Sequence, residues 1–130
     1  MAMVAQGATI LISKPAGADL SALQFYFVKL SAGTYVAVTA ATDKPEGVLQ
    51  NKPTLGQPAE IIMFGPSKVN ADAAIVAGAL IGPSADGQAD TKIPGTDTTE
   101  YACGHADEAA AATGDIISAF IDCVAPGRAA

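Results

Sequence analysis

The strongest constraint on the fold of this chain is an alternation of residue types that glycine and proline repeatedly interrupt. Residues 7–13, GATILIS, place Ala8, Ile10 and Ile12 on one side of an extended chain and the residues between them on the other. A period of two is typical of β-strands. The 13 glycines and 8 prolines leave little room for a long helix.

Two stretches predict β-hairpins. Residues 23–40, LQFYFVKLSAGTYVAVTA, contain two strands joined by a turn at Ser31–Thr34, in which Gly33 supplies a positive φ. Asp86-Gly87 is a typical hairpin dipeptide. Alternation predicts further strands in AEIIMFG (59–65), TEYACGHA (99–106) and DIISAFIDCV (115–124).

Two segments share a pattern in which a glycine precedes an acid, two isoleucines and a phenylalanine. They are Gly47–Phe64 and Gly104–Phe120. We interpret Gly56 and Gly114 as corners that let the chain enter a strand.

Only residues 106–114, ADEAAAATG, favour a helix. Alanine and glutamate have high helix propensity, Asp107 and Glu108 lie near the N-terminal end, and Gly114 is a suitable C-cap. The predicted fold is therefore mainly β, a small β-sandwich or barrel with one short helix near residues 106–113. We expect residues 1–17 to form an N-terminal arm or edge strand and residues 18–130 to form a single β-rich domain.

The charge composition restricts the possible partners. The net charge is −6, and the seven basic residues are scattered, which disfavours nucleic acids and anionic membranes. The N-terminal sequence lacks the basic region of a signal peptide, so we expect synthesis in a cytoplasm. Only 15% of the residues are charged, below the roughly 25% of ordinary domains, which favours a surface covered by partners.

The residues that usually carry catalysis are scarce. His105 is the only histidine and has no Cys/His partners at zinc-binding spacing. Nucleotide-binding glycine motifs and a nucleophile elbow are missing, and residues 84–90 lack the ligand ladder of an EF-hand. The sequence predicts no catalytic residue, no cofactor site and no metal site. Cys103 and Cys123 are predicted to be buried or partly buried free thiols.

A longer set of motifs resembles the small head decoration, or capsid cement, proteins of tailed bacteriophages. The similarity runs from about Gly47 to Ile121. Its elements are GVLQN with Pro53, Gly56 and Ala59-Glu60, then Gly65, Lys68-Val69, Ile75 and Gly78, the hairpin dipeptide Asp86-Gly87, and finally Gly104, Ala106, Gly114-Asp115 and Ile117.

This resemblance implies a non-enzymatic, cofactor-free subunit on the outer capsid surface of a virion, assembled in the host cytoplasm. Its partners would be the major capsid protein and copies of itself in a homotrimer. By bridging major capsid subunits, it would stabilise the mature shell.

Two apolar groups are candidate interfaces with these partners. Ile10, Leu11 and Ile12 either contact a partner or form the first core strand. Phe25, Tyr26 and Phe27 either pack in the core or lie in a trimer or capsid contact, where aromatic residues are common.

The alternative function is a small β-barrel that binds a ligand or a carbohydrate. The low share of aromatic residues, 5%, and the lack of tryptophan count against it.

Overall fold

The structure, a computed structural model, describes residues 9–130 and forms them into β-strands joined by turns. No helix occurs in this range. The strands are β1 (Ile10–Pro15), β2 (Phe27–Ser31), β3 (Thr34–Ala37), β4 (Gly47–Leu49), β5 (Pro58–Asn70), β6 (Ile81–Pro83), β7 (Ala89–Thr91), β8 (Tyr101–Ala102), β9 (Gly104–Ala106), β10 (Ile116–Asp122) and β11 (Gly127–Arg128).

Most strands belong to one sheet with the order β3-β2-β4-β5-β10-β9, and β1 pairs with β5 beside this path. Two small sheets, β6-β7 and β8-β11, complete the described chain. β1 and β3 approach each other at a bridge between Ala16 and Tyr35, but the sheets do not close. The mainly β prediction is confirmed, and the open sheets favour a sandwich over a barrel.

The longest strand, β5, organises the sheet. Its first half, Pro58–Phe64, pairs with β1, and its second half, Phe64–Asn70, pairs with β10. The short β4 pairs with β5 at Ile61 and Ile62. Because the neighbours change along its length, one strand connects the N-terminal and C-terminal parts of the described chain.

Two apolar cores lie on opposite faces of the sheet. Adjacent residues of β2 divide between them: Phe27 belongs to the first core and Val28 to the second. Val48 and Leu49 of β4 divide in the same way. Since successive side chains of a strand point to opposite faces, the sheet is covered on both sides at β2 and β4. The first core also receives side chains from β5, β9 and β10.

The predicted hairpins are present. Ser31 pairs with Thr34 across a turn in which Ala32 has φ 50 and Gly33 has φ 80. Positive φ angles at both central residues define a type I′ turn, whose twist matches that of the two strands it joins. The Asp86-Gly87 turn joins β6 to β7, with Pro83 opposite Ala89.

The predicted helix over 106–113 is wrong. This segment is extended and bent, and its backbone bonds to a distant segment: Ile75 and Ala110 exchange hydrogen bonds of 3.0 and 2.9 Å. The Asp115 carboxylate accepts bonds from the backbone N–H groups of Ala111 and Ala112 at 2.8 and 3.2 Å. A two-turn helix is marginal by itself, so this tertiary pairing prevails over helix propensity.

The first part of the predicted arm, residues 1–8, lies outside the described residues. Ile10–Pro15 pair along their whole length with β5 as strand β1. The backbone N–H groups of Ala16 and Gly17 then donate to Gln57 and Tyr35 at 2.8 and 2.9 Å. This part of the chain is thus joined to the sheet by hydrogen bonds.

Candidate partner-binding face

Strand β10 presents an aromatic ring on its outward side. Ile117, Ala119 and Ile121 point into the first core, whereas the residues between them are exposed or half-buried. Phe120 is one of these outward residues. One outward aromatic ring is ordinary on a protein surface, so its meaning depends on the side chains around it.

Phe120 belongs to a row of side chains that crosses the sheet. Its ring lies 5.2 Å from the Phe64 ring, edge to face at 88°, and 5.9 Å from the His105 imidazole, stacked at 15°. Ile10 is the register partner of Phe64, and Leu80 forms a bridge with His105. We call these five residues the outer row: Ile10, Phe64, Phe120, His105 and Leu80.

The outer row is open to solvent at both ends. Ile10 is 42% exposed and Leu80 is 43% exposed. Single exposed apolar side chains are ordinary, but residues from five separate segments that meet in one row form a larger, mainly apolar surface. The row is therefore the best candidate in the described chain for contact with another molecule.

A groove of about 370 Å³ lies beside the C-terminal part of the row. Its walls include Leu80, Cys103, His105, Phe120, Asp122 and Pro126. The His105 Nε2 atom lies 3.2 Å from Asp107 Oδ1. The groove combines apolar walls with the His105 imidazole and the Asp122 carboxylate, which suits contact with a mixed apolar and polar surface.

The described residues contain no cluster that suits a metal ion. Among residues 9–130, no group of three or more His, Cys, Asp or Glu side chains is close enough to hold one. The same range contains no helix of the length and hydropathy needed to cross a membrane. Both cysteines are buried and unpaired, as predicted.

The first predicted interface group is divided by burial. Ile10 and Leu11 are exposed, Leu11 to 58%, whereas Ile12 is half-buried against the second core. β5 is the only strand in the described chain that pairs with β1. Ile10 and Leu11 are thus exposed, and no strand within residues 9–130 pairs with the outer edge of β1.

The second predicted group lies mostly inside the molecule. Phe27 is only 1% exposed and belongs to the first core, so it offers no surface to a partner in this structure. Phe25 is half-buried against the same core, with φ 69, and backbone bonds to Leu49 and Asn70 hold it there. Tyr26 is half-buried; burial, followed by the nearby carboxylates of Asp86 and Asp72, raises the pKa of its hydroxyl.

The sequence reasoning missed Phe64, Phe120, His105 and Leu80 as surface residues. For Phe120 a signal was present, because strict alternation from Ile117 places it on the side opposite the core. Phe64, His105 and Leu80 carry no comparable signal, since their neighbours in the row come from distant parts of the chain.

Comparison with known proteins gives one informative result. No protein-family model matches the sequence, and no curated protein matches it. Among solved structures, the described fold matches the N base of the head fiber gp8.5 in bacteriophage phi29, with a TM-score of 0.61 and 19% sequence identity. The match covers 88% of this chain and 95% of that one. The two chains share a fold.

Proposed function

We propose that this chain is a structural protein of a phage virion. In this role it binds the outer surface of the head and stabilises the mature shell by bridging major capsid subunits. The fold shared with a phage head fiber base over nearly its whole length carries the proposal. The sequence resemblance to head decoration proteins between Gly47 and Ile121 supports it independently.

The stabilisation follows from linkage. A protein that binds only the expanded shell lowers the free energy of that state and of no other. If the chain assembles as a homotrimer, three modest contacts act together, and the combined affinity exceeds that of one contact by orders of magnitude. No single deep pocket is needed.

We assign the capsid contact to the outer row together with the exposed edge of β1. The row supplies apolar area, and the edge supplies backbone N–H and C=O groups that a strand of a neighbouring subunit can pair. Leu11 is also exposed and, as the next residue of β1, lies on the opposite face of the strand from Ile10. The net charge of −6 supports a position outside the shell, away from the packaged genome.

The proposal can be tested with purified protein and empty, expanded heads of a phage that encodes it. We expect the protein to sediment with these heads and to raise the temperature at which they rupture. Leu80→Ser and Ile10→Ser each remove an exposed apolar side chain of the row. Each should weaken binding about fivefold per site, because about 1 kcal/mol of apolar contact is lost.

The matched control is Leu55→Ser, which removes an even more exposed leucine, 70%, in the loop near the other end of β1. We expect this variant to bind as tightly as the wild type. If all three variants bind alike, the outer row is not the contact. If the wild-type protein does not sediment with the heads, the proposed function is wrong.

The alternative, a small ligand-binding or carbohydrate-binding module, finds its best support in the groove beside Phe120 and His105. A thermal-shift screen with sugars and small apolar compounds separates the two functions. The capsid role predicts no saturable shift, and a ligand that raises Tm and whose effect is lost in Phe120→Ala favours the module.

A further inference from the structure

Two buried cysteines lie in the core next to the groove, and one of them lines it. Cys103 and Cys123 are each only 2% exposed, and both belong to the first core. The backbone N–H of Asp122 donates to the Cys103 carbonyl at 2.9 Å, and Gly104 is the register partner of Ile121. This register places Asp122 opposite Cys103 and makes Cys123 the next residue, so the two cysteines are diagonal neighbours on adjacent extended segments.

This spacing is compatible with a disulfide. A diagonal offset of about 3.3 Å across strands about 4.8 Å apart gives a Cα separation of about 6 Å, within the range of about 4.4–6.8 Å that disulfides span. Both cysteine side chains belong to the same core. Little backbone movement is then needed to join them.

A small molecule can approach one of the thiols. Cys103 lines the groove of about 370 Å³, together with His105 and Asp122. This volume is of the order that accommodates a small ligand. Cys123 does not line the groove, so the structure distinguishes an entry thiol from a second, inner thiol.

We propose that Cys103 and Cys123 are a redox-active dithiol that a small-molecule disulfide converts to an intramolecular disulfide. The Cys103 thiolate attacks one sulfur of the oxidant, forms a mixed disulfide and releases the first small thiolate. The Cys123 thiolate then attacks the Cys103 sulfur and releases the second. The protein loses two electrons and two protons, and the oxidant is reduced to two thiols.

The surroundings of the dithiol make this reaction slow at neutral pH. Burial, followed by the neighbouring Cys123, raises the pKa of Cys103 well above its ordinary value of 9.0. Asp122 raises it further, and Lys92 lowers it. Because the thiolate is the attacking species, the oxidation rate should rise with pH through the alkaline range.

The disulfide would stabilise the chain by closing the loop that contains β9 and β10. A loop of this length is expected to raise Tm by on the order of 10 °C. If the virion role is correct, the reaction would follow release from the reducing host cytoplasm. The time at which the disulfide forms rests on the proposed function, whereas the thiol–disulfide exchange itself does not.

The test uses the purified full chain and oxidised glutathione at mildly alkaline pH, without phage heads. We expect the intact mass to fall by two hydrogens and non-reducing peptide maps to join Cys103 to Cys123. We also expect a rise in Tm that dithiothreitol reverses. Cys123→Ala should instead accumulate a glutathione adduct on Cys103, and Cys103→Ala should react more slowly.

Any other product overturns the inference. A stable glutathione adduct on the wild-type protein, cross-linked dimers, or two unreacted thiols after long incubation would each do so. The wild-type map decides the question even if an alanine variant fails to fold. Because the assay contains no phage heads, a failure to form the disulfide can be distinguished from a failure to bind heads.

Discussion

Replacing Glu100 should destabilise this protein more than any other loss of a surface-accessible charge described here. Lys92 Nζ lies 2.5 Å from Glu100 Oε1, and its side chain is completely shielded from solvent. The Glu100 side chain is 26% exposed. Glu100 thus connects a buried ammonium group to the surface, and Glu100→Ala leaves that charge without its counter-ion.

The magnitude follows from the burial of the lysine. Breaking a buried ion pair by removing one partner costs about 3–5 kcal/mol. Because the site opens to water on the Glu100 side, we expect the lower limit, about 3 kcal/mol. For a domain of this size, that loss lowers the urea midpoint by about 2 M.

The assay is urea unfolding followed by far-ultraviolet circular dichroism, since the chain has no tryptophan. Lys92→Met/Glu100→Ala should recover more than half of the loss, because no buried charge remains. Lys44→Ala is the control: Lys44 is 53% exposed and lies 3.4 Å from Glu46, so we expect a change below about 0.5 kcal/mol. If Glu100→Ala unfolds like Lys44→Ala, the reasoning about burial is refuted.

Three further predictions test other parts of the structure. Gly82→Ala should cost about 2–3 kcal/mol, since its Cβ would overlap the Tyr101 carbonyl oxygen and the backbone would have to shift. Gly127→Ala should be neutral, because nothing lies within 4 Å of the added Cβ. Equal urea midpoints for the two variants would contradict this prediction. The hydrogen bond from Lys29 Nζ, 2.8 Å long, holds the pKa of Asp43 below its ordinary value of 3.8. The stability that this ionised carboxylate contributes is therefore present above pH 3.8 and is lost as pH falls through the lower folded pKa. Asp43→Asn should reduce the loss of unfolding free energy on acidification, and an unchanged loss would contradict this. His105→Ala should weaken head binding about fivefold without changing Tm by more than about 2 °C, because His105 is exposed in the outer row. Unchanged binding would show that His105 does not contact the head.

The turns of this fold were predictable because their chemistry is local. Gly33 and Asp86-Gly87 determine hairpins whatever the rest of the chain does. The corner before β10 was predictable for the same reason: Gly114 has φ 90, a conformation that glycine adopts readily.

The segment 106–113 could not be predicted, because its backbone bonds to Ile75 and Ala79 depend on residues far away in sequence. The full length of β5 was hidden in the same way. Gly65 and Pro66 suggest that the strand ends after residue 65. In the structure β5 continues beyond them, because it pairs with β10, in which Ile121 and Phe120 lie opposite Gly65 and Pro66.

The candidate site shows the same limit more clearly. Ile10 and Leu11 could be proposed from their alternation and position, and the structure leaves both exposed. The outer row could not be proposed, because it requires the registers of β1, β9 and β10 and the Leu80 bridge at once. Registers are set by pairing across the sheet, which one sequence does not display.

Electron cryomicroscopy of expanded phage heads, incubated with the purified chain, tests the capsid-binding claim most directly. The proposal predicts added density outside the shell, in groups of three that bridge neighbouring capsid subunits, with the outer row facing the shell. Heads that look the same with and without the chain, or added density only on the inner surface, would contradict it.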